Sequence, residues 1–166
     1  VLDLACGTGR YGILARERGA QHVIGLDNSP AMLAAAVAHL DCALATTEAV
    51  PLAQGAVDGV ICGLALGHLP KLQPSIREVA RIIKPGGWAL ISDIHARVVL
   101  RGAQRTFTAA DGSVYAVEHH PHTRDDYARE AHLAGFAVDA VAEPPISGSD
   151  EPVLLVLRLI RQPALL

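Results

Sequence analysis

Two short segments near the start of the chain carry residues that suit a nucleotide ligand. A largely apolar run at residues 1–4 leads into Gly7 and Gly9, and a second run at residues 22–26 ends at Asp27. Glycine has no Cβ and tolerates positive φ, so backbone at such a turn can approach a ligand closely. A helix opening there presents unpaired N–H groups. A carboxylate closing the second strand can accept both hydroxyls of a ribose, which predicts a cofactor that contains adenosine.

Two classes of cofactor share this arrangement. Gly7, Gly9 and Gly12 match the Gly-x-Gly-x-x-Gly fingerprint of dinucleotide sites, and Asp27 lies 20 residues after Gly7, the spacing expected there. Asp3 favours the other class, because a carboxylate in the first strand would repel a pyrophosphate but suits a cation. S-adenosylmethionine carries an ammonium and a sulfonium and has no phosphate. It is therefore the predicted cofactor, with an NAD(P)-dependent oxidoreductase as the alternative.

The wider sequence resembles the class I S-adenosylmethionine-dependent methyltransferases. Residues 1–9 (Val-Leu-Asp-Leu-Ala-Cys-Gly-Thr-Gly) resemble the first motif of that family, and residues 25–33 (Gly-Leu-Asp-Asn-Ser-Pro-Ala-Met-Leu) resemble the second. Residues 48–52, 57–62 and 84–87 then resemble, in the expected order, the exit of the third strand, the fourth strand and the turn before the fifth. The similarity extends over about residues 1–95 and includes motifs of ubiquinone and menaquinone methyltransferases. Ordered co-occurrence of several motifs is more specific than one glycine pattern.

The resemblance implies a set of cofactor contacts, which fall on Asp3, Ala5, Cys6, Gly7, Gly9, Asp27, Asn28, Thr47, Glu48 and Gly63. Asp3 is expected to meet the amino group of the methyl donor or a water beside it. Ala5 replaces a glycine of the family, a change that should be tolerated if its φ is negative. Cys6 is interpreted as a small turn residue rather than a nucleophile, and Met32 as core packing rather than a cofactor contact.

The adenine end of the predicted site departs from the family pattern. Relatives often carry an acidic residue two positions before the glutamate of this segment, and Thr46 occupies that position, followed by Thr47 and Glu48. A hydroxyl is a neutral acceptor, so we expect this contact to be weaker by about 1 kcal/mol. Glu48 is equally compatible with a solvated turn.

Three titratable residues follow the fourth and fifth strands and are candidates for proton transfer. His68 follows the fourth strand, while Asp93 and His95 lie two positions apart at the end of the fifth and should project from one face if the strand persists. A histidine that titrates near neutrality can take a proton from the acceptor, and a carboxylate can fix its tautomer. His68, Asp93 and His95 are therefore the predicted catalytic residues, against the alternative of packed or solvated side chains.

Strands alternate with helices along the chain, as in an open parallel sheet covered on both faces. Helices are predicted over residues 10–18, from Ser29 and Pro30, from about Pro74 to the Lys-Pro-Gly-Gly segment, and over 124–134 after the cap Thr123. Residues 88–94 read as the fifth strand. With residues 136–141 and 153–160 as an antiparallel final pair, the prediction is a Rossmann-like α/β fold. Its open sheet has seven strands, mostly parallel, helices on both faces and an antiparallel C-terminal strand.

Residues 96–122 are too long for a simple connection, and long insertions in compact domains are usually functional. Residues 105–109 and 113–118, joined around Asp111 and Gly112, suggest a hairpin at the carboxyl end of the sheet, where such folds bind ligands. The segment is a candidate substrate lid. Its histidine run, residues 119–122, lacks a recognised zinc spacing, so we assign it to the lid or to a solvated loop and predict no metal site.

Composition favours a single domain, residues 1–166, acting on a small molecule. The chain has 166 residues, 51% hydrophobic, a formal charge of −3 and no long basic run, which disfavours a nucleic-acid partner. No apolar stretch approaches the roughly 20 residues that cross a bilayer, and three cysteines without metal spacing favour a cytoplasmic protein. Relatives generally carry helices ahead of the first strand, whereas Val1 is predicted to lie in that strand already. We therefore expect either a fragment or a protein that lacks the N-terminal cap.

The predicted reaction is direct transfer of the sulfonium methyl to an oxygen, nitrogen or carbon of a small-molecule acceptor, with positioning supplying much of the rate. The alternatives are the oxidoreductase named above and a non-catalytic S-adenosylmethionine-binding domain. The sequence leaves the acceptor and the oligomeric state open.

Overall fold

A seven-stranded sheet forms the centre of the protein in the computed structural model, which describes residues 1–103, 105–108, 111–145 and 150–163. The spatial order of its strands is β3-β2-β1-β4-β5-β9-β8. The strands are β1 (Leu2–Leu4), β2 (Ile24–Asp27), β3 (Asp41–Leu44), β4 (Val57–Gly63), β5 (Ile83–Ile94), β8 (Phe136–Ala142) and β9 (Leu154–Arg161). A separate pair consists of β6 (Arg105–Thr108) and β7 (Val114–Val117).

The helices follow the strands in the predicted alternation. They are α1 (Arg10–Glu17), α2 (Pro30–Ala36), α3 (Gln73–Ile82), α4 (Ala96–Leu100) and α5 (Arg124–Leu133), with a short 3₁₀ turn at Leu66–His68. Pairing from β3 through β5 is parallel, whereas β9 pairs antiparallel with both β5 and β8. The predicted fold class is confirmed, including the antiparallel strand at the C-terminal side.

Alternation along β1 shows that both faces of the sheet are covered. Leu2 and Leu4 are fully buried in one core cluster with residues of α3 and with Tyr127 of α5. Successive strand residues point to opposite faces. Asp3 accordingly points the other way, where its carboxylate meets the backbone of Gly12 in α1.

Local capping signals place two helix starts where the sequence predicts them. The Ser29 hydroxyl accepts the N–H of Met32, and Pro30 occupies the first helical position. Thr123 and Asp126 form a reciprocal capping box at the start of α5, and Gly135 follows the end of that helix with φ +85°. These boundaries agree with the predictions to within one residue.

The fifth strand begins earlier than predicted. Pairing between β4 and β5 joins Val57 to Ile83 and then Gly59 to Trp88, so residues 84–87 form an extra loop within one strand. Gly86 adopts φ +80° in this loop. Residues 84–87 thus make the expected turn, but β5 starts before it, at Ile83, because parallel pairing exists on both sides of the irregularity.

The insertion contains the predicted hairpin. Arg105 pairs with Val117, and Thr108 pairs with Val114, in an antiparallel register. Residue 109, predicted to end the first strand, lies outside the described residues, as do residues 146–149 of the predicted loop before β9. Within the described ranges, no helix has the length and apolar character needed to cross a membrane.

Candidate active site

A cleft of about 530 Å³ opens where β1, β2 and β4 end. Parallel α/β sheets bind ligands at this edge, outside the carboxyl ends of their strands. The cleft is lined by Ala5, Gly7, Asp27, Asn28, Ser29, Met32, Ala45, Thr46, Thr47, Glu48, Gly63, Leu64, Ala65, His68 and Leu69. Seven of the ten predicted cofactor contacts are therefore in the lining: Ala5, Gly7, Asp27, Asn28, Thr47, Glu48 and Gly63.

The glycine turn leaves room for a ligand at Gly7. This residue has φ +56°, and a Cβ added to it would meet no other atom within 4 Å. Its backbone N–H donates to Oδ2 of Asp27 at 2.7 Å. Gly7 therefore requires glycine for its backbone conformation, and the space beside it belongs to the cleft.

Asp27 is held at the wall of the cleft by two backbone donors. Besides the Gly7 N–H on Oδ2, the Ser29 N–H donates to Oδ1 at 2.8 Å. The residue is 8% exposed. Each carboxylate oxygen retains a second acceptor site, so a fixed carboxylate can still accept a pair of hydroxyl groups.

Asp3 lies behind the glycine turn rather than in the lining of the cleft. It is fully buried, and its Oδ2 accepts the N–H of Gly12 at 2.7 Å. Burial, reinforced by the negative charge of Asp27 and opposed by the Gly12 hydrogen bond, raises the pKa of Asp3 to about 6. Asp3 thus joins β1 to α1 behind the cleft, and its contact with the donor's amino group or with a water beside it stays a prediction.

Two non-glycine residues that line the cleft have left-handed backbone. Ala5 adopts φ +55° and Leu64 adopts φ +58°. We expected Ala5 to be tolerated if its φ were negative, and this condition is not met. Alanine replaces the family glycine here, but the backbone keeps the positive φ that favours glycine. Such conformations cost about 1–2 kcal/mol per L-residue. The surrounding turn therefore maintains strain at the wall of the cleft.

Cys6 and Gly9 sit in the turn but not in the lining. Cys6 is buried beside Cys42, and both sulfurs lie within about 3 Å of the position a Cβ on Gly25 would occupy. Burial raises the pKa of the Cys6 thiol to about 12, which supports the interpretation of a packed turn residue over a nucleophile. Gly9, at φ +86°, precedes the first residue of α1.

The segment predicted to hold the adenine lies along the cleft. Thr46, Thr47 and Glu48 are all in the lining. The Thr47 hydroxyl shares a hydrogen bond of 2.7 Å with Ser75 of α3, which fixes its orientation. Glu48 is exposed at the rim.

Met32 corrects a prediction. Its side chain is 47% exposed and lines the cleft near Asp27 instead of packing in the core. The apolar positions of α2 that are buried are Leu33 and Ala36. Because Met32 lies one position before Leu33, it emerges from a different face of the short helix, toward the cleft.

His68 lies in the cleft lining with one ring nitrogen already engaged. Its Nδ1 is 2.8 Å from the carbonyl oxygen of Glu118, which belongs to the insertion. A carbonyl oxygen only accepts hydrogen bonds, so Nδ1 carries the proton in this contact. When the ring is neutral with its proton on Nδ1, the lone pair is on Nε2, and that nitrogen can accept a proton.

Asp93 does not line the cleft. It is 1% exposed, and its Oδ2 accepts the hydroxyl of Tyr127 at 2.6 Å. Its Oδ1 accepts the N–H of Ile94 at 2.8 Å and lies 3.4 Å from Nε2 of His119. Proximity to this carboxylate adds to burial in raising the pKa of Tyr127, so the hydroxyl remains a donor.

His95 does not join the predicted group, which is a correction. Its Nδ1 accepts the N–H of Arg97 and so caps α4, while its Nε2 lies 3.5 Å from Glu143. It lines a separate depression with Arg124 and Pro152. The strand ends at Ile94, so the alternation that would place His95 on the same face as Asp93 does not continue.

His119 is the residue that the sequence interpretation missed. Its side chain is 6% exposed, and its ring meets that of His68 edge-on, with centroids 5.4 Å apart. The neighbouring His120 donates its backbone N–H to the Gly67 carbonyl at 2.7 Å. A histidine run followed by a helix cap gave no local signal that its first member would be buried against a strand residue. Among the described residues, no group of three or more His, Cys, Asp or Glu side chains is arranged to hold a metal ion.

Comparison with known proteins supports the resemblance noted in the sequence. Residues 2–91 match the family described as Methyltransferase domain. A ubiquinone biosynthesis O-methyltransferase of Ralstonia nicotianae is 34% identical over 155 residues, covering 87% of this chain and 63% of the relative. This chain thus spans less than two thirds of the length of the curated relatives it matches first.

Solved structures share the fold. An S-adenosylmethionine-dependent methyltransferase from Mesorhizobium loti superposes with a TM-score of 0.79 at 24% identity, covering 96% of this chain and 90% of that one. Another, from Clostridium acetobutylicum, gives a TM-score of 0.81 at 12% identity, with coverages of 98% and 83%.

Proposed function

This chain belongs to the methyltransferase domain family of class I S-adenosylmethionine-dependent enzymes, and from that premise we propose that it methylates a hydroxyl oxygen of a small molecule. The observation that carries the proposal is the composition of one cleft: Gly7 and Asp27 line it together with His68. A site for a nucleoside and a proton acceptor therefore share one space.

Residues from four segments of the chain would hold the cofactor. The open space at Gly7 fits a ligand that passes close to backbone, and the fixed Asp27 carboxylate suits the two hydroxyls of a ribose. Thr46–Glu48 and Met32 offer polar and apolar contacts for the adenine. When bound, S-adenosylmethionine supplies a methyl group already activated by the sulfonium.

His68 would take the proton of the acceptor. A hydroxyl is a weak nucleophile until its proton is removed, and the Glu118 carbonyl leaves Nε2 of His68 as the basic nitrogen. The choice of oxygen over nitrogen or carbon follows the name of the relatives, which are O-methyltransferases. A small acceptor fits a cleft of about 530 Å³.

Calorimetry tests the cofactor half of this proposal. We expect S-adenosylmethionine and its demethylated product to bind and NAD to bind far more weakly. Binding of NAD without a response to either sulfur ligand would favour the oxidoreductase alternative and reject the proposal.

Turnover tests the catalytic half. A panel of small hydroxyl compounds is offered with radiolabelled methyl donor, and His68→Gln is compared with His95→Gln, since His95 lies in a separate depression. We expect His68→Gln to lower kcat at least tenfold with donor affinity retained, and His95→Gln to stay near the parent. Donor binding without any turnover would indicate the non-catalytic alternative.

A further inference from the structure

We propose that His119 is a positioning residue for His68, acting from the insertion and held in place by the buried carboxylate of Asp93; the inference rests on the proposed function, in which His68 accepts the proton. It makes the returning arm of the insertion, residues 118–122, part of the machinery that sets the protonation form of the base. The arm is more than a cover over the cleft.

The first step in the argument is the anchorage of this arm. The backbone N–H of His120 donates to the carbonyl of Gly67 at 2.7 Å, and Nε2 of His122 donates to the carbonyl of Leu69 at the same distance. Both acceptors belong to the turn that carries His68. The arm and the turn are therefore held in register on both sides of His68.

The second step is the burial of His119 between a fixed carboxylate and the base. Nε2 of His119 lies 3.4 Å from Oδ1 of Asp93, and both side chains are almost fully buried. Asp93 is itself held by the Tyr127 hydroxyl. Contact with this fixed carboxylate, together with burial, restricts where the His119 ring can sit.

The third step connects His119 to the tautomer of His68. Glu118 directly precedes His119, so anchoring the His119 side chain also fixes the peptide whose carbonyl meets Nδ1 of His68. The His119 ring packs edge-on against the His68 ring at 5.4 Å and limits its rotation. Loss of the His119 ring should free both the carbonyl and the His68 ring.

Gly67 shows how closely this arrangement is built. A Cβ at this position would lie 2.2 Å from Cε1 of His119 and 2.6 Å from Oδ1 of Asp93. Its φ lies outside the left-handed region, so alanine is compatible with the backbone. Gly67→Ala should therefore disturb the contact between His119 and Asp93 by displacing one or both side chains, while leaving His68, Asp93 and His119 chemically intact.

Two variants and one control test the proposal. His119→Asn keeps a polar N–H group beside the Asp93 carboxylate but has no ring against His68. Gly67→Ala keeps the ring but disturbs its contact with Asp93. His132→Asn is the matched control, because it makes the same substitution at an exposed histidine of α5, outside residues 118–122. Thermal melting identifies the variants that fold. The two test variants change the site in different ways, so if one does not fold, the other still tests the proposal.

The first readout is ¹⁵N NMR of the His68 imidazole, assigned by the signal lost in His68→Gln. It requires no acceptor, so it tests the inference even if the protein methylates nothing. We expect the parent and His132→Asn to hold the proton on Nδ1, and either test variant to show a mixture of both tautomers. If a folded test variant holds His68 in the same tautomer as the parent, the inference is overturned.

The second readout is steady-state methylation, once an acceptor is found. We expect kcat to fall at least fivefold in either test variant, with KM for the methyl donor within twofold of the parent. A merely structural role would lower the melting temperature without this split. Absence of turnover in the parent would instead count against the proposed function and leave the NMR result as the test.

Discussion

The backbone N–H of Gly7 donates to Oδ2 of Asp27 at 2.7 Å, which ties the glycine turn after β1 to the last residue of β2. The carboxylate proposed to bind the ribose therefore also closes the glycine turn beside the proposed cofactor site. Binding and local order depend on the same side chain.

Asp27→Ala should weaken cofactor binding and stability together. Removal of a hydrogen bond to a charged group costs about 1.5–3 kcal/mol, or roughly 10- to 150-fold in Kd. The N–H groups of Gly7 and Ser29 also lose their acceptor. Calorimetry with S-adenosylhomocysteine and thermal melting measure the two effects. Asp41→Ala, an exposed carboxylate in β3, is the control; a Kd within threefold of the parent in Asp27→Ala would contradict the assignment.

Ala5→Gly should stabilise the fold. The residue adopts φ +55°, which costs alanine about 1–2 kcal/mol, whereas glycine adopts it freely. Glycine adds about 0.4–1 kcal/mol of entropy to the unfolded chain, so a net gain of between zero and about 1.6 kcal/mol remains. Urea unfolding measures the change. Ala34→Gly, at an exposed position of α2, should instead destabilise by about 0.5–1 kcal/mol; a similar loss for Ala5→Gly would show that the position bears no strain.

Asp3 should make stability fall as pH rises from about 4 to about 6. Its pKa is about 6 in the fold against an ordinary value of 3.8, so in this interval the native state holds a proton that the unfolded chain has lost. The stabilising contribution is complete below pH 4 and is lost as pH passes 6, a change of about 2–3 kcal/mol.

Asp3→Asn isolates this effect. Asparagine keeps an oxygen for the Gly12 N–H but does not titrate. The free energy of unfolding of parent and variant is measured with urea from pH 4 to 7.5. As pH rises, we expect the variant to become more stable relative to the parent. A difference that is flat with pH would place the carboxyl in an ordinary environment. Asp125→Asn, at an exposed position, controls for loss of a charge.

Replacing the β6–β7 hairpin should impair methyl transfer and spare cofactor binding. Arg105 pairs with Val117, so residues 105–117 begin and end side by side and a short Gly-Ser linker can replace them. Glu118 and His119 remain, which preserves the contacts of His68. We expect kcat/KM for the acceptor to fall while S-adenosylhomocysteine affinity stays within twofold. Equal loss of both would identify the hairpin as a structural element.

Local signals explain why so much of the fold could be predicted. Ser29 with Pro30 and Thr123 with Asp126 act over three residues, so they read correctly without tertiary information. The irregular residues 84–87 differ: whether a Lys-Pro-Gly-Gly segment ends a strand or interrupts one depends on the partner strand β4. That information is not local.

The site likewise contains residues that local motifs could predict and residues that they could not. Gly7 and Asp27 are positioned by the strands they follow, so their place at the cleft could be predicted from the motifs. The backbone conformation of Ala5 could not be predicted, because alanine has no preference for positive φ. His119 reaches Asp93 across 26 residues of sequence, and no periodicity reports such a contact. His95 was misplaced because the strand ends one residue before it.

The position of β9 has a consequence for how the chain is made. Ile94 at the end of β5 pairs with Leu154, 60 residues later, and in the described sheet β8 reaches the other strands through β9. On the ribosome, β1 to β5 can assemble as they emerge, whereas one edge of β5 stays unpaired until Leu154–Arg161 is synthesised. Such distant pairing slows folding, because the closing loop must be ordered first. The walls of the cleft are thus made early, and the last strand to appear joins the interior of the sheet.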